Sequence, residues 1–233
     1  DGAWAGRLVV AHEDKDSYLR DLQDQRTTVY GVVDGQIGSQ GVLTAGITLA
    51  DSHQDSPMWG SLTLRRADGT QARFDVGAST SQRWTYWDTR AYGAFVEYAH
   101  RLGQDWEAKA TYTQRHSDES TRLLYAYSPS GTLNADGTGL VGWPYRSEGS
   151  ATNRVLDINL SGAFQAFGRR HSLLVGVNRA RETTHTDTFA ALDNNFLPLP
   201  AFPYGGDVYP EPRWGERAPS TAGEQTLTRL YAA

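Results

Sequence analysis

Cysteine is absent from this sequence of 233 residues, and methionine occurs only once. Without cysteine the chain has no disulfide, no thiolate metal site and no cysteine nucleophile. Long apolar runs are also missing, because no segment approaches the roughly 18 apolar residues that a membrane-spanning helix needs. Positive charge is not in excess either, since the formal net charge is −5. A chain without a basic field is not expected to have a nucleic-acid partner.

Glycine, tyrosine and tryptophan are abundant instead, with 24, 12 and 7 residues. This turn-rich and aromatic-rich composition is typical of β-structure. The mean hydropathy of −0.55 is too polar for a helical membrane protein. This low hydropathy does not exclude transmembrane β-strands, because half of the residues in such a strand are polar and about ten residues suffice for one crossing. No helical period is sustained along the chain, so we predict an all-β antiparallel meander.

The most informative stretch is 83–113, which contains an aromatic lead-in, a strand, a tight turn at 103–105 and a second strand. The second strand alternates, because successive strand side chains point to opposite faces. Its apolar face begins at Trp106 and ends at Tyr112, with only alanine between them. Its other face is polar: Glu107, Lys109, Thr111, Thr113. Aromatic residues at both ends of a small apolar row are typical of the two interfacial belts of a membrane barrel.

The predicted connections alternate between short and long along the chain. Short turns are expected at 38–41, 103–105 and 167–171, and 15–26 is expected to be a loop or a short helical turn. Long irregular segments are expected at 52–89, 118–152 and 185–225. Loops of that length are uncommon in compact soluble domains. Their recurrence at every second connection places them at one end of an up-and-down meander, an asymmetry typical of outer-membrane barrels.

Five segments, found in order between Gly6 and Val177, resemble successive parts of TonB-dependent ferric-siderophore receptors. They read GRLVVAHEDKDSYL, VYGVVDGQIGSQGVLTAGITL, WTYWDTRAYGAFVEYAHRLGQDWEAKATYT, GWPYRSEG and FGRRHSLLVGV. The most specific feature is the aromatic lead-in before the hairpin: Trp84, Tyr86, Trp87, Asp88, Arg90. The pattern is most similar to receptors for hydroxamate, coprogen and pyoverdine-type siderophores.

The resemblance implies a plugged transmembrane barrel of about 22 strands in the bacterial outer membrane. Such a receptor binds ferric siderophores and imports them with energy from TonB. Residues 1–233 would form part of its barrel domain, about seven or eight strands, without the plug and the remaining strands. The expected partners are a ferric siderophore, outer-membrane lipid and, through the plug, the TonB system. Iron would enter only as part of the ligand, so no cofactor is expected.

Aromatic side chains in the predicted long segments are the candidate ligand contacts. A ferric siderophore is a compact chelate with a large, partly apolar surface, which aromatic faces bind well. The candidate binding residues are Trp59, Trp84, Tyr86, Trp87, Tyr125, Tyr127 and Trp143. Tyr145 belongs to the same group of aromatic residues. The competing interpretation is that these rings anchor the barrel rim or pack the loops against each other.

No catalytic or metal site is predicted, so we do not expect an enzyme. The six histidines have no metal-ligand spacing, and segment 134–137 lacks the acidic ladder of a calcium loop. The P-loop, dinucleotide and nucleophile-elbow motifs are absent. Charges on the polar rows, such as Glu107, Lys109 and Asp157, are expected to form ion pairs inside the barrel or to meet its plug.

Two other interpretations remain open. A passive porin-like barrel would use long loops only to narrow a channel. A soluble β-sandwich binding module would instead bury its apolar rows between two stacked sheets. The second alternative predicts a closed core that contains Ala108, Ala110, Leu156, Ile158 and Leu160.

Overall fold

The computed structural model describes residues 3–233 and contains a single antiparallel sheet. Its strands are β1 (Trp4–Asp16), β2 (Gln23–Ile37), β3 (Gly41–Asp55), β4 (Tyr86–Leu102), β5 (Trp106–Tyr127), β6 (Val141–Ala166), β7 (Arg169–Ala191), β8 (Leu197–Pro198) and β9 (Trp214–Ala232). The long strands pair in chain order from β1 to β7 and then β9, while β8 pairs only with β6. The predicted all-β meander is therefore confirmed, although residues 1 and 2 of the predicted domain lie outside the described residues.

Across residues 3–233, no helix has the length and apolar character needed to cross a membrane.

All short turns lie at one end of the sheet, termed the turn end. They are 38–40, 103–105 and 167–168. The opposite loop end has the connections 17–22, 56–85, 128–140 and 192–213. Each of the three tight turns contains glycine where the backbone turns left-handed, with φ of 65° at Gly38, 75° at Gly103 and 72° at Gly168. The predicted alternation of short and long connections is confirmed.

The strands extend further into the predicted long segments than expected from the sequence. β5 continues to Tyr127 and β6 begins at Val141, so only 128–140 remains a connection. β1 and β2 likewise shorten the predicted 15–26 loop to 17–22. In these outer parts both strand faces carry polar residues, which removes the alternation on which the prediction depends. Backbone pairing nevertheless continues, for example between Glu119 and Gly149.

The two faces of the sheet differ in polarity. Strand register places Ile47 opposite Ala94, and Ala110 opposite Ile158, on what we term the apolar face. Ile47 is 53% exposed and Ile158 46% exposed, because within residues 3–233 no second layer covers this part of the face. The β-sandwich interpretation is therefore wrong, since the apolar rows form the open surface of one sheet. The opposite side, termed the polar face, includes Lys109.

The apolar band crosses the strands obliquely. On β4 the last apolar position toward the loop end is Tyr92, whose partner on β5 is His116. β5 becomes polar earlier, after Tyr112, which pairs with Leu156 on β6. Leu156 in turn faces Arg179, so β7 is already polar at that level. An oblique boundary of this kind is expected where strands tilt relative to the membrane normal.

The polar face is held together by hydrogen bonds and by an ion pair. The Tyr231 hydroxyl donates to Asp157 Oδ1 at 2.9 Å, and the Asn178 amide donates to Asp157 Oδ2 at 3.1 Å. Lys109 Nζ lies 3.8 Å from Glu97 Oε1. The prediction that charges on this face pair with one another is confirmed for Lys109. Such partners offset the desolvation of these polar groups.

The long connections share a small hydrophobic core at the loop end. Its buried members are Ala72, Leu124, Ala126, Leu133, Leu140, Leu199, Phe202 and Tyr209. Tyr209 is 2% exposed, and its hydroxyl donates to the Gly142 carbonyl at 3.0 Å. Its backbone N–H donates to Gln82 Oε1 at 2.9 Å, and the Trp84 indole N–H donates to its carbonyl at 2.9 Å. Tyr209 thereby joins the 56–85 and 192–213 connections to β6.

Beyond the apolar band, His53 lies between two carboxylates. Its Nδ1 contacts the Asp88 carboxylate, and its Nε2 lies 3.2 Å from Asp55 Oδ1. Burial by itself lowers the pKa of His53, but Asp88 and then Asp55 outweigh that effect and raise the pKa above the ordinary value. The protonated imidazole is therefore the form that stabilises this part of the sheet.

We expect this stabilisation to depend on pH. A raised folded-state pKa gives a contribution that is fully present below the unfolded pKa of about 6.5, and it disappears as the pH rises through the folded value. The difference in melting temperature between wild type and H53Q should become smaller as the pH rises from about 6 to about 8. H12Q is the control, because His12 Nδ1 bonds the Thr27 hydroxyl at 2.9 Å rather than a carboxylate. A wild-type-to-H53Q difference that stays constant with pH would contradict this assignment.

Candidate functional site

Aromatic rings converge on the polar face where β5 and β6 reach the loop end. Tyr125 pairs with Trp143 in the ladder, and Trp59 from the 56–85 connection forms a backbone bridge beside Tyr125. The Trp59 ring centroid lies 5.5 Å from that of Tyr125. It lies 5.6 Å from Trp143 and 5.1 Å from Tyr145. We term Trp59, Tyr125, Tyr127, Trp143 and Tyr145 the aromatic cluster.

Local backbone geometry at Gly60 brings Trp59 into this cluster. Gly60 has φ of 95°, a conformation that a side chain disfavours. A Cβ at this position would also lie 2.4 Å from Tyr125 Cε2. Glycine is thus required both by the turn and by the close approach of the chain to Tyr125. The conformation of Gly60 therefore helps to place the Trp59 indole against β5 and β6.

The cluster offers an accessible aromatic surface. Trp143 is 37% exposed and Phe196, from the 192–213 connection, is 52% exposed. Their ring centroids are 6.5 Å apart and their planes differ by 6°. Tyr125 and Tyr127 stack with centroids 5.7 Å apart. Parallel or edge-on rings at these distances attract one another, and the free faces remain open to a flat or apolar group of a ligand.

The cluster combines these ring faces with phenol hydroxyls. The hydroxyls of Tyr125, Tyr127 and Tyr145 are able to donate and to accept hydrogen bonds. Carbonyl and hydroxamate oxygens of a chelate are suitable acceptors for such groups. Within residues 3–233, no group of three or more His, Asp or Glu side chains is placed to hold a metal ion. Ring faces together with hydroxyl groups suit the recognition of a ligand that has both apolar and oxygen-rich surfaces.

Four of the seven predicted site residues meet in the aromatic cluster: Trp59, Tyr125, Tyr127, Trp143. The other three lie elsewhere. Trp84 packs against the hydrophobic core of the connections. Tyr86 lies on the other face of the sheet, where the Arg122 guanidinium is 5.4 Å from its ring centroid. Trp87 lies on the polar face, and its indole N–H donates to Glu119 Oε2 at 3.0 Å.

The separation of Tyr86 from Trp87 follows from strand geometry. Both belong to β4, and adjacent strand residues point to opposite faces. Tyr86 and Trp87 are therefore neighbours in the sequence motif, but their rings lie on opposite faces of the sheet. Phe196 was not among the predicted residues, because it lies in a connection with no periodic pattern. Only the folding of 192–213 back over β6 brings its ring to Trp143.

Comparison with known proteins identifies relatives in both sequence and fold. No protein-family model matches the chain. The ferric-pyoverdine BN7/BN8 receptor of Pseudomonas putida is 26% identical over 196 residues, which cover 84% of this chain and 24% of the receptor. The chain thus spans about a quarter of the length of this curated relative.

Two solved structures have the same fold over nearly the whole chain. One is the ferripyoverdine receptor of the outer membrane of Pseudomonas aeruginosa bound to ferripyoverdine. It has a TM-score of 0.85 and 22% identity, over 99% of this chain and 30% of the receptor chain. The other is the ferric preacinetobactin receptor from Acinetobacter baumannii, with a TM-score of 0.85 and 14% identity, over 99% and 34% of the two chains. In sequence the chain is therefore related to ferric-pyoverdine receptors, and in fold it corresponds to part of the barrel of siderophore receptors.

Proposed function

We propose that the chain is part of an outer-membrane receptor that binds ferric siderophores and imports them with energy from TonB. In this proposal the apolar face meets lipid, and the polar face lines a plugged lumen. The loop end lies outside the cell, where the aromatic cluster forms part of the binding surface. A plug and further strands elsewhere in the full-length protein would complete the barrel and contact TonB.

The observation that carries the proposal is the aromatic cluster on the polar face at the loop end. It lies on the side of the sheet that would surround a transport path, and on the side with the long connections. Trp143 and Phe196 leave ring surface exposed there, whereas Trp84 is committed to packing between the connections. A binding surface at this position would meet the ligand before it enters the lumen.

The relatives suggest which siderophore to test first. The curated relative is named for ferric pyoverdine, and one of the matched structures holds ferripyoverdine. We therefore propose a pyoverdine-type ferric siderophore as the first ligand, with hydroxamate siderophores and coprogen as comparison ligands. Iron is cargo in this scheme, carried as the chelate, and no chemical step is required of the protein.

Uptake measurements in a strain that lacks the receptor gene test the function. We expect the full-length gene to restore uptake of a radiolabelled ferric pyoverdine-type siderophore under iron limitation, and deletion of TonB to abolish that uptake. A passive porin-like barrel predicts uptake that is independent of TonB and rises linearly with concentration. If the complemented strain takes up no ferric siderophore of any of the three classes, the proposed function is wrong.

A further inference from the structure

Three arginines lie on the apolar face of β6 and β7, next to the apolar band on its loop-end side. Arg154 pairs with Arg181 across the ladder, and the next pair on the same face is Leu156 with Arg179. Below them the same face continues with Ile158 opposite Val177 and Leu160 opposite Val175. All three arginines are exposed. We term Arg154, Arg179 and Arg181 the arginine patch.

The arginine patch is only partly neutralised by the protein. Arg181 Nη2 lies 2.8 Å from Glu224 Oε2 on β9. Within residues 3–233, no carboxylate lies within ion-pair distance of Arg154 or Arg179. Residues directly opposite one another in an antiparallel ladder have Cβ atoms about 5 Å apart, and like charges there are destabilising. Three cations with one carboxylate therefore leave an excess of positive charge at this edge.

At another point on the loop-end edge of the apolar band, carboxylates of the chain itself neutralise the positive charge. Next to Tyr92, on β3 and β4, the guanidinium of Arg90 donates to Asp51 Oδ2 at 2.8 Å. The Tyr92 hydroxyl donates to Asp118 Oδ2 at 2.7 Å. Acidic partners thus neutralise the positive charge of β4 from within the sheet, which is not the case for Arg154 and Arg179. The contrast indicates that the partner of the arginine patch comes from outside the chain.

From this arrangement we propose that the arginine patch binds the phosphate group of an acylated, phosphorylated lipid, whose hydrocarbon chains lie on the apolar rows of β6 and β7. The inference rests on the proposed membrane orientation of the apolar face. Arginine suits the role because its planar guanidinium forms two parallel hydrogen bonds to phosphate oxygens. The adjoining Leu156, Ile158 and Val177 provide the apolar surface that the acyl chains require.

The position of the patch also selects a lipid over a free anion. A phosphate ion would meet only exposed guanidinium groups in water, where each contact is weak. A lipid adds the burial of its chains against the apolar band, and it brings its charge to the height of the arginines. Basic clusters at the edge of a membrane-spanning surface attract anionic headgroups.

Native mass spectrometry of the full-length protein in detergent tests the proposal. The probes are lipid A, which is acylated and carries phosphate, the same lipid after phosphatase treatment, and inorganic phosphate. We expect R154Q/R179Q/R181Q to weaken lipid A binding by at least about 10-fold. Dephosphorylated lipid A should bind wild type and this variant equally. The matched control is R65Q/R73Q/R169Q, which removes the same charge from exposed arginines outside the apolar band and should bind lipid A like wild type.

Each contrary outcome has a separate meaning. Equal lipid A affinity of wild type and R154Q/R179Q/R181Q would overturn the proposal, as would binding of inorganic phosphate as tight as that of the lipid. A lysine variant, R154K/R179K/R181K, keeps the positive charge but loses the paired hydrogen bonds of the guanidinium, so its lipid A affinity should lie between those of wild type and the glutamine variant. Recovery of the full-length protein in soluble form without detergent would refute the membrane orientation itself. Ferric-siderophore uptake should remain at the wild-type level in the triple glutamine variant.

Discussion

Replacing Trp143 and Phe196 together by alanine should weaken ferric-siderophore binding by roughly 30-fold to 150-fold, equivalent to about 2–3 kcal/mol. The two rings are the most exposed of the aromatic group, and their near-parallel faces offer a continuous surface. Large aromatic side chains at the centre of an interface commonly dominate its binding energy. Titration of the purified full-length receptor by intrinsic fluorescence quenching would measure the change in Kd.

Two further variants distinguish a lost contact from a disturbed fold. Y18A removes an exposed ring from the 17–22 connection at the same end, outside the aromatic cluster, and should leave the affinity unchanged. W143F keeps an aromatic face and should recover most of the affinity that W143A loses. An unchanged Kd in W143A/F196A, together with wild-type folding, would remove the aromatic cluster from the binding site.

Replacing Tyr209 by alanine should loosen the connections at the loop end while the sheet itself stays intact. Removing a large, fully buried aromatic side chain costs about 3–5 kcal/mol through lost burial and the cavity that remains. The Gly142 carbonyl would lose the hydroxyl that donates to it at 3.0 Å. Gly142 itself lies against the Tyr209 ring, since a Cβ at position 142 would be 2.4 Å from Cε2 of that ring. Because residue 142 is a glycine, it has no side chain that could fill the cavity left in Y209A.

Hydrogen–deuterium exchange would locate this effect. Backbone amides in 56–85 and 192–213 should exchange about 100-fold faster or more in Y209A, because local opening requires less free energy. Amides of β2 to β5 near the turn end should exchange at the wild-type rate. Y209F retains the ring and loses only the hydroxyl, so it should cost about 1 kcal/mol for each hydrogen bond removed. Unchanged exchange in 192–213 for Y209A would show that Tyr209 does not hold the connections together.

The part of the long strands nearer the turn end was predictable from the sequence, and the part nearer the loop end was not. Between Trp106 and Tyr112, polar and apolar residues alternate strictly, because one side of the strand is apolar and the other is not. From Ser117 to Arg122 both faces are polar, so the period disappears although the backbone ladder continues. Long strands with polar faces on both sides lack the hydrophobic pattern that identifies strands in a sequence.

The candidate site was predictable only as a set of residue types. Aromatic residues near long connections indicated where a ligand would bind, and Tyr125 with Trp143 did prove to be ladder partners. Whether a ring faces the lumen or the outside depends on strand parity, which is fixed once the strand bounds are known. Tyr86 illustrates the limit, because a shift of one residue reverses the face on which a side chain lies. Contacts between connections, such as Phe196 with Trp143, depend on the folded chain and have no local pattern.

The length of β5 has a mechanical consequence for ligand capture. Tyr112 marks the end of its apolar row, and Tyr125 lies 13 residues further along the strand. At about 3.3 Å per residue this is roughly 43 Å of strand, or roughly 30 Å of height at a tilt of about 45°. In the proposed orientation the aromatic cluster would stand nearly four Debye lengths, of about 8 Å each at physiological ionic strength, above the hydrocarbon boundary. An anionic chelate would there be largely shielded from the negative charge of the cell surface at the moment of capture.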